Sequence, residues 1–586
     1  MGALRSIHGL ADRHVTIDRD DDLYQAYADV ALSDDGRMIC VWREAAGHSS
    51  GNWARLVFRE STDLGRTWGE RRVLADESTC HWAMPRIDKL PDGTLLITAS
   101  GFANTGTTFL FRSTDGGRSW SEAQPIPVTG FQPRRLVQLP DGTLLLPLVE
   151  GILPRRRAWR LRHRVVVWAS TDGGREWQFR AVVAESSVHS HSEGPIVRLN
   201  DGTLVCHTRE DSFIHYPSFK CYSYDDGHTW SEPQETGVFM AQPNAYLLAD
   251  GDLLLAYEQV GGFSGVAMWR GDGHDTTDIQ ASCYDGRDGC ATLTPEGLRI
   301  KTNGDEAEIP PYYLLHPAEN ELAEIVFEAR VRVVANPCGD QCCINLMEAG
   351  ELRIFPDRVE FVQEEIDYGG KRGGFTGEVE TIASHAVDGT RWHTYRIVRT
   401  PDRTLTVSVD GVECIATDRL LRTQPLIKPR WGPAGHDINS FGATSHIPGM
   451  HSVRNAYAPR ANPGESYWHS VSLTVRNPTL PDYRFRWNAA SGTYPNQYER
   501  DHLLEVVRDP GGDSGEPGCV ELPDGRIFCV YQTASDVPRP FPPPYKPQPY
   551  IRGSYVHPDD FPGGGGGGGA GGGADPRVGA ATGAGP

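Results

Sequence analysis

The hydrophobic positions of this chain recur as pairs of short runs separated by an Asp-Gly step. Ala28–Leu32 is followed by Asp35-Gly36 and then by Met38–Trp42, and Arg86–Leu90 by Asp92-Gly93 and Thr94–Ala99. The same unit returns at Asp141-Gly142, Asp201-Gly202, Asp250-Gly251 and Asp524-Gly525. Runs of this length predict strands. Asp-Gly between two of them predicts a hairpin, because glycine takes the positive φ that the turn demands.

A second repeat interleaves with the first. The pattern S-x-D-x-G-x-x-W occurs at Ser61–Trp68, Ser113–Trp120, Ser170–Trp177 and Ser223–Trp230, with starts 52, 57 and 53 residues apart. A period of that size marks stacked or radial supersecondary units. The motif is a turn with a mechanism: the Asp carboxylate accepts backbone amides, Gly takes the positive φ, and Trp packs the turn against its own sheet. Six hairpins, four followed by an outer hairpin with this turn, predict six four-stranded blades. The expected fold is therefore an all-β six-bladed β-propeller, closed by residues near His14–Asp18 pairing into the last blade.

These interleaved repeats resemble the sialidase (neuraminidase) superfamily, whose propellers carry such Asp-box (BNR) turns on the outer edges of blades, away from the active site. The resemblance covers roughly residues 15–270 and 495–560. It implies a glycoside hydrolase. The division expected is blades one to five over 15–285, an insert over 286–460, a return segment with the sixth blade over 461–562, and a glycine-rich linker or tail over 563–586. Within the insert, Ile325–Val334, Glu351–Phe355, Arg358–Gln363, Trp392–Arg399 and Thr404–Val409 read as strands, with a turn at Asp410-Gly411. The stretch from Trp392 onward resembles the last strands of a laminin-G or concanavalin-like jelly roll, which serves either as a spacer or as a carbohydrate-binding module.

Composition narrows the function. Among 586 residues, Lys+Arg 57 against Asp+Glu 77 leaves a net charge of −20, which argues against nucleic-acid and anionic-membrane partners. Gly 65 and Pro 42 suit a turn-rich β protein. No apolar run is long enough to span a membrane, and Met1 to Asp22 lacks the apolar core of a signal peptide, so a cytoplasmic protein is expected. The 12 cysteines form no dense framework and no zinc-like spacing, and Cys40, Cys206 and Cys529 lie in strand-like runs as buried thiols. No metal and no cofactor is expected. Only six basic residues are lysines, and arginine, besides reflecting base composition, supplies planar forks for carboxylates.

In a propeller, the loops entering each innermost strand and leaving each second strand meet at one mouth. Reading those positions off gives Tyr24, Tyr27, Arg43, Glu44 and His48; His81 and Arg86; Gln132, Arg134, Arg135 and Glu150. The later blades add His189, His191, Glu193, Arg209, Glu210 and Asp211; Gln242, Asn244, Tyr257 and Glu258; Asp513, Glu516 and Gln532. So many arginines suit an anionic substrate, a sugar carboxylate held by Arg43, Arg86, Arg134 and Arg209 with Asn244 beside them.

The resemblance places Glu193 as the glutamate partnering a tyrosine nucleophile, and Arg209 as the second arginine of a carboxylate-binding triad. The structural alternative is a Glu193 that caps a strand and an Arg209 paired with Glu210 or Asp211. The first blade departs from the family. It has no Arg-Ile-Pro run, and the loop Ala45–Arg55, where the family carries its catalytic aspartate, contains no acid; His48 is the titratable side chain present there. His48, His81, His189 and His191 with a tyrosine would instead suit a lyase acting on uronate-containing glycans, which needs a base, an acid and cations around the carboxylate. Tyr494 or Tyr498, in an aromatic-rich segment before the last blade, is a further candidate nucleophile or acid. The readings in order are a sialidase-like hydrolase of an acidic oligo- or polysaccharide, a polysaccharide lyase, and an inactive glycan-binding propeller.

Overall fold

The computed structural model describes residues 5–48, 53–76, 80–101, 107–152, 162–186, 189–210, 218–236, 240–259, 265–274, 291–301, 312–315, 323–337, 339, 341–346, 349–367, 374–420, 439–442, 464–476, 482–493, 495, 502–509, 514–536 and 548–561. Within these the chain is built from strands, with only three short 3-10 turns as helical structure.

Six antiparallel sheets carry the repeats. Sheet 1 is Tyr24–Leu32, Met38–Ala45, Ala54–Ser61 and Arg72–Ala75, and sheet 2 is Trp82–Lys89, Leu95–Gly101, Thr107–Ser113 and Gln124–Pro125. Sheet 3 is Val137–Gln138, Leu144–Ile152, Arg162–Ser170 and Gln178–Ala184. In sheet 4 His191–Ser192 and Ile196–Arg198 both pair with Leu204–Glu210, followed by Phe219–Ser223 and Gln234–Glu235. Sheet 5 runs Met240–Leu247, Leu253–Gln259, Gly265–Gly271, Leu503–Arg508, with Arg5–Ser6 added in parallel at its edge. Sheet 6 is Gly515–Glu521, Ile527–Thr533 and Tyr550–Val556, completed by His14–Asp18.

Each sheet buries both faces, which is why its central strands are apolar at consecutive positions. Val41 and Phe58 of sheet 1 pack with Trp82 and Ile97 of sheet 2, whereas Val30, Cys40 and Trp42 pack with Phe528 and Val530 of sheet 6. The interfaces between sheets 2 and 3, 3 and 4, 4 and 5, and 5 and 6 each hold a similar core. The fold is thus propeller-type, with the first and last sheets in contact.

The turns behave as the repeats require. In every Asp-Gly unit the glycine N–H donates to the carbonyl three residues earlier, as in Gly36 to Ser33, and every such glycine has φ between +79° and +96°. In the S-x-D-x-G-x-x-W turn, Ser61 Oγ donates to Asp63, Thr67 N–H donates to Asp63 Oδ1 at 2.9 Å, and Trp68 Nε1 donates to Gly65 O at 3.0 Å. The motif glycine also reaches the preceding sheet. A Cβ on Gly65 would lie 2.8 Å from Phe528, and one on Gly117 would lie 2.9 Å from Ile39. These turns therefore staple neighbouring sheets as well as closing hairpins.

The insert is a sandwich of an eight-stranded and a six-stranded sheet sharing one core. Phe327, Val331, Tyr395, Ile397 and Trp468 come from the larger sheet, and Ile344, Leu352 and Phe361 from the smaller. The boundary expected at residue 460 is corrected in two respects. Glu465–Arg476 is an inner strand of the larger sheet, flanked by Gly297–Lys301, Glu324–Ala335 and Tyr483–Asn488, because Ser466, Trp468, Val471, Leu473 and Val475 all face the sandwich core. Leu503–Arg508 then completes sheet 5, so the sandwich interrupts the fifth sheet instead of separating the fifth from the sixth.

Candidate active site

Each of the six innermost strands, or the segment leading into it, carries one non-glycine residue in the left-handed region. They are Tyr27, Met84, Gln132, Glu193, Gln242 and Glu516, with φ between 47° and 61°. Pairing with the second strand breaks there, between Ala26 and Asp29, Ala83 and Arg86, Ala241 and Asn244, and Gly515 and Gly518. Such bulges re-aim side chains and cost about 1–2 kcal/mol per left-handed residue. The backbone N–H freed by the bulge is taken up by a neighbouring sheet. Gln242 N–H donates to Glu193 Oε2 at 2.8 Å, Glu516 N–H to Gln242 Oε1 at 3.1 Å, Tyr27 N–H to Gln532 Oε1 at 2.7 Å, and Gln132 N–H to Ser100 Oγ at 3.1 Å.

The bulges gather buried charge. Glu516 Oε2 accepts from Arg86, and Arg134 Nη1 lies 3.4 Å from the same oxygen. Arg134 Nη2 is 3.6 Å from Glu193, whose carboxylate also takes Arg209 Nη1 at 3.1 and 3.2 Å. Arg86, Arg134 and Glu516 are fully buried. Burial and the neighbouring Arg86 charge lower the Arg134 pKa against the pull of Glu516 and Glu193, while at Arg86 burial is outweighed by Glu516 and Asp29 together, which raise it. Several polar atoms of this cluster have no hydrogen-bond partner among the described residues: Glu516 Oε1, Arg86 Nε, Arg134 Nε and Asn244 Oδ1. Buried polar groups are normally satisfied, so such a concentration marks a place where another polar molecule belongs.

Beside this cluster Arg43, 5% exposed, donates to Trp82 O at 2.9 Å and stands 5.8 Å from the ring centroids of both Tyr24 and Tyr27. No carboxylate among the described residues lies within ion-pair distance of it. Tyr24 Oη and His48 Nδ1 are 2.6 Å apart. Arg135 turns away from Arg134 and serves as a plug between sheets. It donates to Asp88 at 2.9 Å, Ile87 O and Cys519 O, and stacks 5.0 Å from the Tyr246 ring.

Part of the chain is similar to known proteins. Residues 36–262 match a BNR repeat-like domain. A curated sialidase of Micromonospora viridifaciens is 29% identical over 208 residues, covering 30% of this chain and 32% of that protein. The repeat region is therefore similar to that of a sialidase. The chain spans about a third of the length of that relative. Among solved structures, a Dyadobacter fermentans protein of unknown function is 18% identical, with TM-score 0.42, over 49% of this chain and 93% of its own. Trypanosoma rangeli sialidase is 12% identical, with TM-score 0.33, over 80% and 95% of the two chains. A Penicillium chrysogenum α-L-arabinanase is 15% identical, with TM-score 0.36, over 49% and 92%.

The residues singled out in the sequence fall into three groups. Arg86, Arg134, Glu193 and Arg209 form one ion-pair cluster. Asn244 lies near it, donating to Pro517 O at 2.7 Å, next to Glu516. Arg43 and His48 form a second group with Tyr24, and His81 is half-buried with Nδ1 unpartnered. His191 stands apart. It is fully buried, hydrogen-bonded to Thr208 at 3.0 Å and edge-on to Phe219. Burial, with His189 nearby and against Glu210, lowers its pKa to about 4, so near neutrality it carries no charge. Tyr498, with Tyr494, Asp211 and Asp513, lies outside the described residues. Among the described residues Arg209 pairs with Glu193, and Glu193 meets two arginines and a backbone amide, with no tyrosine hydroxyl among its described partners.

Glu516 and Gln242 were legible only as two mouth positions among many. One signal could have raised them: each left-handed residue precedes the glycine of its Asp-Gly turn by nine residues, ten in sheet 3. In sheets 2, 3, 5 and 6 it is followed by proline, as in Met84-Pro85-Arg86 and Glu516-Pro517-Gly518. Among the described residues no cluster of three or more His, Cys, Asp or Glu is placed to hold a metal.

Burial also makes the propeller-type fold acid-sensitive. His207 is held to a pKa of about 3 by burial and the Lys220 charge, and His191 to about 4 by burial, against 6.5 when unfolded. Their folded values are depressed, so the unfolded chain binds the extra protons. The stability they contribute is present above pH 6.5 and lost as pH falls toward those values. Between pH 7 and 5 each histidine should remove about 2 kcal/mol. Urea titrations of wild type and His207→Gln will read this as a shallower pH slope in the variant; equal slopes would refute it.

Proposed function

We propose that this chain is a glycoside hydrolase on a six-bladed propeller with a jelly-roll insert, acting on an acidic glycan whose carboxylate is held by Arg43, Arg134 and Arg209. The observation that carries this reading is the charge balance at the bulge ring. Arg86 and Arg134 share Glu516, and Arg43 has no carboxylate partner among the described residues. Buried guanidiniums short of counter-ions are costly, and a substrate carboxylate would complete them. The similarity of the repeat domain to a sialidase accords with such a substrate. Glu193 and Glu516 are the carboxylates available for acid-base work.

The test is product analysis on sialylated, uronate-containing and arabinose-rich oligosaccharides. Hydrolysis releases reducing sugar without near-ultraviolet absorbance. An unsaturated, ultraviolet-absorbing product would replace the hydrolase by the lyase reading, and binding with neither product would leave a glycan-binding propeller.

A further inference from the structure

The loop where the superfamily carries its acid has none here, yet it delivers His48 to Tyr24 of the adjoining inner strand. We propose that Tyr24 and His48 form the proton-donating pair of the reaction, with Tyr24 facing the leaving oxygen and His48 resupplying its proton from solvent. This rests on the hydrolase reading above and names the group that reading lacks.

The geometry is specific. Tyr24 Oη lies 2.6 Å from His48 Nδ1, and the two rings meet edge to face with centroids 5.3 Å apart. Gln532 Nε2 donates to the same Tyr24 oxygen at 3.5 Å while its Oε1 takes Tyr27 N–H, so the phenol is tied to the bulge ring from the sixth sheet. Gln532 stands opposite Gly515 in the strand register, one residue before Glu516. Tyr24 is therefore linked to the strand holding the second carboxylate. Tyr24 is buried and His48 only half-buried, which gives protons a route inward through the imidazole.

Among the described residues, the charged and titratable groups around the pair include Arg43, 5.8 Å from the Tyr24 ring, and Tyr27, whose ring lies 6.4 Å from His48. Glu44, next along the strand, turns away to Arg55, Arg71 and Gln25. Arg43 donates to His48 O at 3.4 Å as well, tying the loop down.

In the step, the glycosidic C–O bond breaks and the leaving oxygen takes the Tyr24 proton. A water oxygen bonds to the anomeric carbon and passes its proton to a carboxylate of the mouth. Tyr24 then recovers a proton from His48, which regains one from water, and the carboxylate releases its own.

Steady-state kinetics on the acidic oligosaccharide that the wild type cleaves will test this, with circular dichroism melts confirming that the variants fold. Tyr24→Phe keeps the ring and should lower kcat at least 100-fold with KM within about threefold, the scale of lost general-acid catalysis. His48→Gln keeps a hydrogen-bonding side chain but cannot titrate, and should lower kcat and remove one limb of the pH profile. A folded Tyr24→Phe with kcat near wild type, or a His48→Gln with an unchanged pH profile, overturns the pair while leaving the hydrolase reading intact. A wild type that releases only an unsaturated product, with both variants inactive, overturns the hydrolase reading and keeps the pair as proton donor to the leaving oxygen. A wild type that cleaves nothing overturns both.

Discussion

Glu516→Gln will cost about 3–5 kcal/mol of stability, seen as a lower urea midpoint, because it strips the carboxylate from two buried guanidiniums at once. Among the described residues Arg86 has no other ion-pair partner, and Arg134 keeps only the 3.6 Å contact to Glu193. Removing one partner of a buried pair leaves an uncompensated charge, whereas replacing the pair with apolar groups of similar size is close to neutral. The double variant Glu516→Gln/Arg86→Met should therefore recover much of the loss. The single variant should also be stabilised by added sulfate more than the wild type is, since an anion can occupy the vacated position. A Glu516→Gln protein as stable as wild type would show that the carboxylate does not hold the ring together.

Arg209→Ala carries the larger effect on activity. It should lower kcat/KM for an acidic glycan at least 100-fold, equivalent to about 2.7 kcal/mol, and change cleavage of the matching methyl ester far less. The fold should survive, because Glu193 retains Arg134 at 3.6 Å and the Gln242 amide at 2.8 Å. Arg209→Lys should fail almost as badly, since an ammonium cannot serve Glu193 and a substrate carboxylate with the same planar fork. Equal losses on the acid and its ester would mean that Arg209 acts only by holding Glu193 in place.

The acid-deficient loop gives these residues a common logic. In a mouth where arginines crowd two carboxylates, a neutral phenol backed by an imidazole is a proton donor that adds no negative charge to compete with an anionic substrate. In the described part of the insert the shared core is apolar, and the buried Arg399 is bonded to Ala323 O at 2.9 Å.

The legible and illegible parts of the molecule divide along a physical line. Asp-Gly turns and S-x-D-x-G-x-x-W turns are local, set by the φ of one glycine and by hydrogen bonds spanning four residues, so every one that lies in the described propeller could be read directly. The insert strands were legible from their alternation, but the boundary at 460 was not. Ser466, Trp468 and Val471 could have faced either core, and only pairing with Glu324–Ala335 assigns them. Arg134 and Arg135 are consecutive and chemically identical, yet one joins the candidate site and the other plugs the sheets through Asp88 and Tyr246. That separation depends on the bulge at Gln132 and on partners in other sheets.

The chain by itself thus determined the repeat, the strands, the turns and an arginine-rich set of mouth positions, because each follows from short-range periodicity. Tertiary structure decided which of those positions meet. Six left-handed residues re-aim individual side chains on the inner strands, and partners as distant as Glu516 for Arg86 or His48 for Tyr24 are chosen by the closing of one sheet upon the next.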